Sequence, residues 1–98
     1  MTINEIREDH KLRLELKGRL DTTTAPQLQD MVDLHLKGVE ELVMDFGGLD
    51  YLSSAGLRVL LIAQKLMSRQ GRMIIRNVNE TVMEVFEVTG FNDLLTIE

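Results

Sequence analysis

Two hydrophobic rhythms run along the chain. Leu12, Leu14 and Leu16 are separated by Arg13, Glu15 and Lys17, and this period of two predicts a strand with one buried face. Ile3 to Glu8 predicts a strand before it, with Asp9 and His10 as a polar turn between the two; Gly18 ends the alternation. Leu42 to Phe46, acidic only at Asp45, and Met73 to Ile75 are short apolar runs of the kind that form buried strands. Leu28, Met31, Val32 and His35 recur instead at helical spacing. Thr24-Ala25-Pro26-Gln27 predicts a capping box at the start of that helix, with Thr24 as N-cap and Gln27 at N3. Pro26 suits a first turn, where its missing N–H has no helical partner, and Gly38 suits the residue just past the end.

A second helix is predicted from Ser54 to Gln70, stopped by Gly71. A third runs from an Asn79 cap through Thr89, burying Val82, Val85 and Phe86 and closed by Gly90. Leu94 to Ile97 predicts a last strand. The order β-β-α-β-α-β-α-β, with no repeat or linker, predicts one α/β domain over 1–98, a mixed sheet with helices packed on it.

At about 100° per residue, with Leu57 at 0°, the apolar residues Val59, Leu60, Ile62, Ala63, Leu66 and Met67 fill an arc from roughly 140° to 300°, the expected core face of the second helix. Arg58, Lys65 and Arg69 cluster at roughly 80–120°. Leu57 and Leu61 fall outside the core arc, and Ser54, Leu57, Arg58, Leu61 and Lys65 form one stripe. The two leucines admit two readings: a wide core face covered by neighbouring loops, or a small apolar patch for docking a partner.

Composition narrows the function. Of 98 residues, 44% are hydrophobic and 28% charged, ordinary for a globular domain. The net charge of −5 argues against nucleic acid and against anionic lipid as partners. With no cysteine, disulfides, thiolate metal sites and cysteine nucleophiles are excluded. A domain this small without disulfides suggests a reducing, cytoplasmic setting, and Met1-Thr2-Ile3-Asn4-Glu5 does not begin a secretory leader. The longest apolar run, Val59 to Ala63, is far short of a membrane span. His10 and His35 lack a ligand pattern, Gly47-Gly48 lacks the lysine of a P-loop, and no Gly-x-Ser-x-Gly elbow occurs. No enzyme, metal or cofactor is expected.

The informative segment is Asp45-Phe-Gly-Gly-Leu-Asp-Tyr-Leu-Ser-Ser-Ala-Gly-Leu-Arg58, which joins a strand to the second helix. Ser53 and Ser54 stand where that helix begins, and serine is in the first place a good N-cap. The segment resembles the STAS domain of bacterial anti-sigma factor antagonists. Gly18-Arg19-Leu20-Asp21 resembles that family's turn after the second strand, and Val85-Phe86-Glu87-Val88-Thr89-Gly90-Phe91 its third helix and following turn.

The resemblance implies a phosphorylation switch. The family's phosphoacceptor is the serine two residues before the Gly-Leu pair, here Ser54; Ser53, standing where the family often has aspartate, is the alternative. Its implied partners are an anti-sigma factor with serine kinase activity and a metal-dependent serine/threonine phosphatase. Asp21 is implied to lie near the phosphorylated loop. The partner-binding surface is then expected at Asp21, Ser53, Ser54, Leu57, Arg58, Leu61 and Lys65. Many members carry a further helix after the last strand, for which no counterpart is expected before Glu98. The resemblance also covers scaffold subunits of signalling or lipid-transport assemblies, which bind partners with no phosphate cycle. The residues themselves are compatible with a switch: a helix N-terminus offers free N–H groups and a positive dipole end, so a phosphate there need not unfold the domain.

Overall fold

The computed structural model describes residues 1–98. The elements follow in the order β1 (Thr2–Glu8), β2 (Lys11–Leu20), α1 (Ala25–His35), β3 (Glu41–Leu52), α2 (Ser54–Gln70), β4 (Arg72–Arg76), α3 (Glu80–Thr89) and a 3-10 turn (Phe91–Asp93). The four strands form one sheet in the order β1-β2-β3-β4, β1 antiparallel to β2 and the rest parallel. This is the mixed α/β architecture that the alternating rhythms predict. The eighth expected element is reduced to a single parallel bridge, Ile75 to Ile97. Leu94 follows the 3-10 turn and stays exposed, so the regular ladder expected from Leu94 onwards does not form.

The sheet has one covered and one open face. Leu12, Leu14 and Leu16 of β2, Leu42, Met44 and Phe46 of β3, and Met73 and Ile75 of β4 point to the same side. They join Leu28 and Val32 of α1, Leu60, Ala63 and Met67 of α2, and Val82 and Phe86 of α3 in one cluster. The Phe46 and Phe86 rings lie 6.3 Å apart at the centroids, within the range of a favourable aromatic pair. The other side of the sheet presents the intervening residues, mostly charged, which surround Val43 and the buried Ile74.

Three local expectations are corrected. The capping box at Thr24 does not form: Thr24 has helical backbone angles and makes no side-chain cap to α1. Its hydroxyl donates to the Arg19 carbonyl at 2.7 Å and accepts from the Asp21 amide at 2.9 Å. Asp21 takes over: its Oδ1 accepts the amides of Thr23 and Thr24, and its carbonyl accepts the Ala25 amide at 2.7 Å. The Gln27 amide that the box would use is bonded instead to the Thr24 carbonyl at 2.9 Å, while the Thr24 hydroxyl is held back toward Arg19 and Asp21.

Second, β3 does not stop at Phe46, nor β2 at Gly18. Both run on to Leu52 and Leu20 through two register shifts, with Lys17 opposite Gly48 and Arg19 opposite Tyr51. Gly48 permits this, because a Cβ there would sit 2.6 Å from Lys17 Cγ. Gly18, at φ +99°, supplies the left-handed residue that the irregularity needs.

Third, α2 is rotated from its expected setting. Its buried residues are Gly56, Leu57, Val59, Leu60, Ala63 and Met67, an arc of roughly 200° to 360° on the scale used above. Ile62 is only partly buried and Leu66 is exposed. The cause is Gly56, whose missing side chain lets the first turn press onto β2 and β3: a Cβ would meet Leu20 Cγ at 2.6 Å and Leu52 Cδ1 at 2.8 Å.

Candidate partner-binding and phosphorylation site

The extended strands β2 and β3 end side by side, Leu20 opposite Leu52. The Ser53 amide donates to the Leu20 carbonyl at 2.9 Å, which fixes where α2 begins relative to the loop after β2. Asp21 and Ser53, remote in sequence, therefore emerge from adjacent strand ends.

The two serines are not equivalent. Ser53 is the N-cap of α2, extended at φ −99°, ψ 173°, and its Oγ accepts the Gly56 amide across a long 3.4 Å. Ser53 is half-buried, whereas Ser54 is exposed in the first helical position and its hydroxyl makes no hydrogen bond within the protein. The first main-chain bond of the helix runs from the Leu57 amide to the Ser53 carbonyl. Beside the Ser54 hydroxyl, the Ser54 and Ala55 amides are left as free donors at the positive end of the helix.

Asp21 acts on its own loop. Hydrogen bonding from the Thr23 hydroxyl, with the Thr23 and Thr24 amides adding to it, holds its carboxyl down to about 2 against burial. Its other oxygen lies 3.5 Å from Arg19 Nε. The carboxylate thus shapes the segment from Thr22 to Thr24 beside the serines, with its own oxygens committed.

Of the residues expected to form the surface, Ser54, Arg58 and Lys65 are exposed along α2 and Leu61 is half-buried at its margin. Leu57 is corrected: at 5% exposure it belongs to the core, because the Gly56 contact turns it inward. This decides between the two readings of the leucines in favour of a wide core face at Leu57.

Two residues near the serines carry features that the sequence pattern did not mark. Arg19 stacks its guanidinium over the Tyr51 ring, 4.1 Å from the centroid. Tyr51 is the one tyrosine of the chain and remains 39% exposed beside the serine pair. A lone aromatic two residues before Ser53 was the available signal, but its pairing with Arg19 depends on the register shift. Thr22, Pro26, Ala55 and Arg58 line a shallow groove between the first turns of α1 and α2. No group of His, Cys, Asp and Glu side chains is placed to hold a metal ion, and no helix is long and apolar enough to cross a membrane.

Residues 3–96 match the family model described as "Mlab, STAS domain". The chain is 39% identical over 84 residues to BtrV of Bordetella bronchiseptica, named as a proposed anti-sigma factor antagonist, covering 84% of this chain and 72% of that one. Its fold is similar to that of an anti-sigma factor antagonist from Mycobacterium paratuberculosis, with TM-score 0.87 and 18% identity over 98% of this chain and 83% of that one. It is also similar to the Bacillus cell fate determinant SpoIIAA in its phosphorylated form, with TM-score 0.76 and 19% identity over 99% and 91% of the two chains. The family model covers nearly the whole chain, and so the chain belongs to the STAS domain family.

Proposed function

We propose that this protein is an anti-sigma factor antagonist switched by phosphorylation of Ser54. In its unphosphorylated form it binds an anti-sigma factor with serine kinase activity through the start and exposed flank of α2, at Ser54, Arg58, Leu61 and Lys65, beside the loop that Asp21 organises, and so releases a sigma factor. The kinase brings ATP: the Ser54 oxygen bonds to the γ-phosphorus, the bond from that phosphorus to its bridging oxygen breaks, ADP leaves, and the hydroxyl proton passes to the kinase or to water. A serine/threonine phosphatase returns the hydroxyl by hydrolysis.

The observation that carries this reading is the division of labour between the serines. Ser53 caps the helix, and Ser54 stands exposed and unbonded one residue further on. The names of the relatives point the same way. A phosphoryl group adds about −1.5 to −2 charge at pH 7. A partner surface that fits a hydroxyl must then desolvate a dianion, and a docking loss of about 3 kcal/mol weakens binding more than a hundredfold.

The test is to mix the protein with the serine-kinase-type anti-sigma factor of the same genome and ATP, then read its mass. One added phosphate mapped to Ser54 is expected. Phosphate on Ser53 would move the site, and a stable complex without phosphate would favour a scaffold role. Ser54→Asp is expected to weaken binding about a hundredfold with an unchanged melting temperature, since the side chain has no packing partner to lose.

A further inference from the structure

Helix α2 carries charge of one sign. It contains Arg58, Lys65 and Arg69 and no aspartate or glutamate, in a chain with 16 acidic residues. The other helices are different: α1 bears Asp30 and Asp33, and α3 bears Glu80, Glu84 and Glu87. Spacings of seven and eleven residues bring Lys65 and Arg69 to within about 20° of Arg58, one on either side of it, in a row about 16 Å long. All three are exposed. None joins an ion pair, whereas Arg7, Lys11, Arg13, Arg19, Arg72 and Arg76 all do.

The helix itself gains little from this row. Lys65 and Arg69 are four apart and repel each other. Arg58 lies just beyond the first turn, toward the positive end of the helix dipole, where a cation is disfavoured. Only Arg69, in the last turn, suits the dipole. Losing the three would take the net charge of the chain from −5 to −8, so the row is a local reversal of an otherwise acidic molecule.

We propose that Arg58, Lys65 and Arg69 form a docking row for an acidic surface on the anti-sigma factor, steering it onto the start of α2. This rests on the function proposed above and adds the partner's chemistry, the residue Arg69 and the physical action of the phosphate. An acidic partner approaching an acidic protein is repelled everywhere except at such a row, so the row raises the encounter rate and sets the orientation together. Ser54 lies about 40° from Arg58 on the helix surface, one turn before it. A phosphate of −1.5 to −2 there reduces the +3 row to about +1. Phosphorylation then removes the attraction that brings the partner in, besides obstructing the contact itself.

The decisive measurement is the association rate with the same anti-sigma factor by stopped flow, at salt from 25 to 500 mM. The wild type is expected to slow about tenfold or more across that range. The triple variant Arg58→Gln, Lys65→Gln, Arg69→Gln is expected to associate about tenfold more slowly at low salt, with most of the salt dependence gone and an unchanged melting temperature. Lys17→Gln with Lys37→Gln, which removes two unpaired cations elsewhere, is expected to change the rate less than twofold. A triple variant that keeps the wild-type rate and salt slope overturns the docking row while leaving the proposed function standing. Equal slowing per charge in the control pair reduces the effect to net charge and overturns it too. No complex with wild-type protein at any salt overturns the function first, and the inference with it. Salt-sensitive dimerisation of the protein alone, lost in the triple variant, would make a second copy the occupant of the row and overturn the assignment.

Discussion

On the open face of the sheet, Lys11 and Arg72 lie against Glu41, Arg13 bridges Glu15 and Asp45, and Arg76 reaches Glu98. On the free face of α2, Arg58, Lys65 and Arg69 have no such partners. Both faces are charged and exposed, but the sheet cancels its charges across neighbouring strands while the helix leaves its own unanswered. Strand pairing explains the first: Arg13 and Asp45 are brought together by register, and such cross-strand pairs are how a solvated sheet face is stabilised. Nothing within the molecule explains the second, which is why the helix reads as the surface awaiting a partner. An exposed charged face is informative when its charges are left unpaired.

The comparison depends first on which residues α2 turns outward, and the largest expected effect tests that. Leu57→Ala is expected to destabilise the fold by about 2–5 kcal/mol, as truncation of a buried leucine does. Leu61→Ala, at the half-buried margin, is expected to cost clearly less. Urea unfolding of the two variants checks the order; a near-neutral Leu57→Ala would put that side chain back on the docking face and break the comparison. Gly56→Ala comes next, at about 1–3 kcal/mol, from overpacking against Leu20 and Leu52. It should also weaken partner binding, since the helix can accept the methyl only by lifting its first turn, where Ser54 sits.

Acid titration separates the faces by a different route. On the sheet, the Arg72 guanidinium lowers the Glu41 carboxyl. Burial raises that of Asp45, but bonds from the Gly47 amide, Asn77 and Arg13 outweigh it and leave a net lowering. A carboxylate held below its unfolded value stabilises the protein above that value and loses its contribution as pH falls through the folded one. For Glu41 and Asp45 the loss therefore begins near the ordinary values of 4.5 and 3.8 and continues below them; for Asp21 it runs from 3.8 to about 2. Asp45→Asn is expected to shallow the fall in melting temperature between pH 5 and pH 2. Lys65→Gln should leave that curve's shape unchanged, because Lys65 pairs with no carboxylate, unlike the cations of the sheet.

What could be read from the residues alone was what local chemistry decides. The limits of α2 from Ser54 to Gln70 match the expectation, and Asn79 caps α3 through its Oδ1 and the Val82 amide at 2.8 Å. Both follow from side chains adjacent to the groups they satisfy. The Thr24 cap failed because its hydroxyl is drawn back to the Arg19 carbonyl and the Asp21 amide, which leaves the Gln27 amide to the Thr24 carbonyl. The length of β3 was hidden because Gly47 and Gly48 look like a turn until β2 is beside them and Lys17 crosses the gap. The rotation of α2 was hidden for the same kind of reason, since it depends on Leu20 and Leu52 meeting Gly56. The serine pair was legible as a site, but the split between capping Ser53 and free Ser54 needed the backbone angles. The spacing of Arg58, Lys65 and Arg69 was likewise plain in the sequence; their lack of partners was not.

The smallest effect makes the sharpest contrast between the faces. Arg13 donates to Asp45 at 2.9 Å and lies 3.1 Å from Glu15, while Lys65 pairs with nothing. Exposed ion pairs contribute about 0.2–1 kcal/mol, so Arg13→Gln should cost an amount in that range. Lys65→Gln should cost nothing measurable, and can gain about 0.2–0.5 kcal/mol by relieving repulsion from Arg69. A double-mutant cycle of Arg13→Gln with Asp45→Asn should show coupling that weakens in high salt, and one of Lys65→Gln with Arg69→Gln should show coupling of the opposite sign. If the α2 pair instead couples favourably, the row is already neutralised by something inside the chain. Its cations would then belong to the fold, as those of the sheet do, and no acidic partner would be needed to explain them.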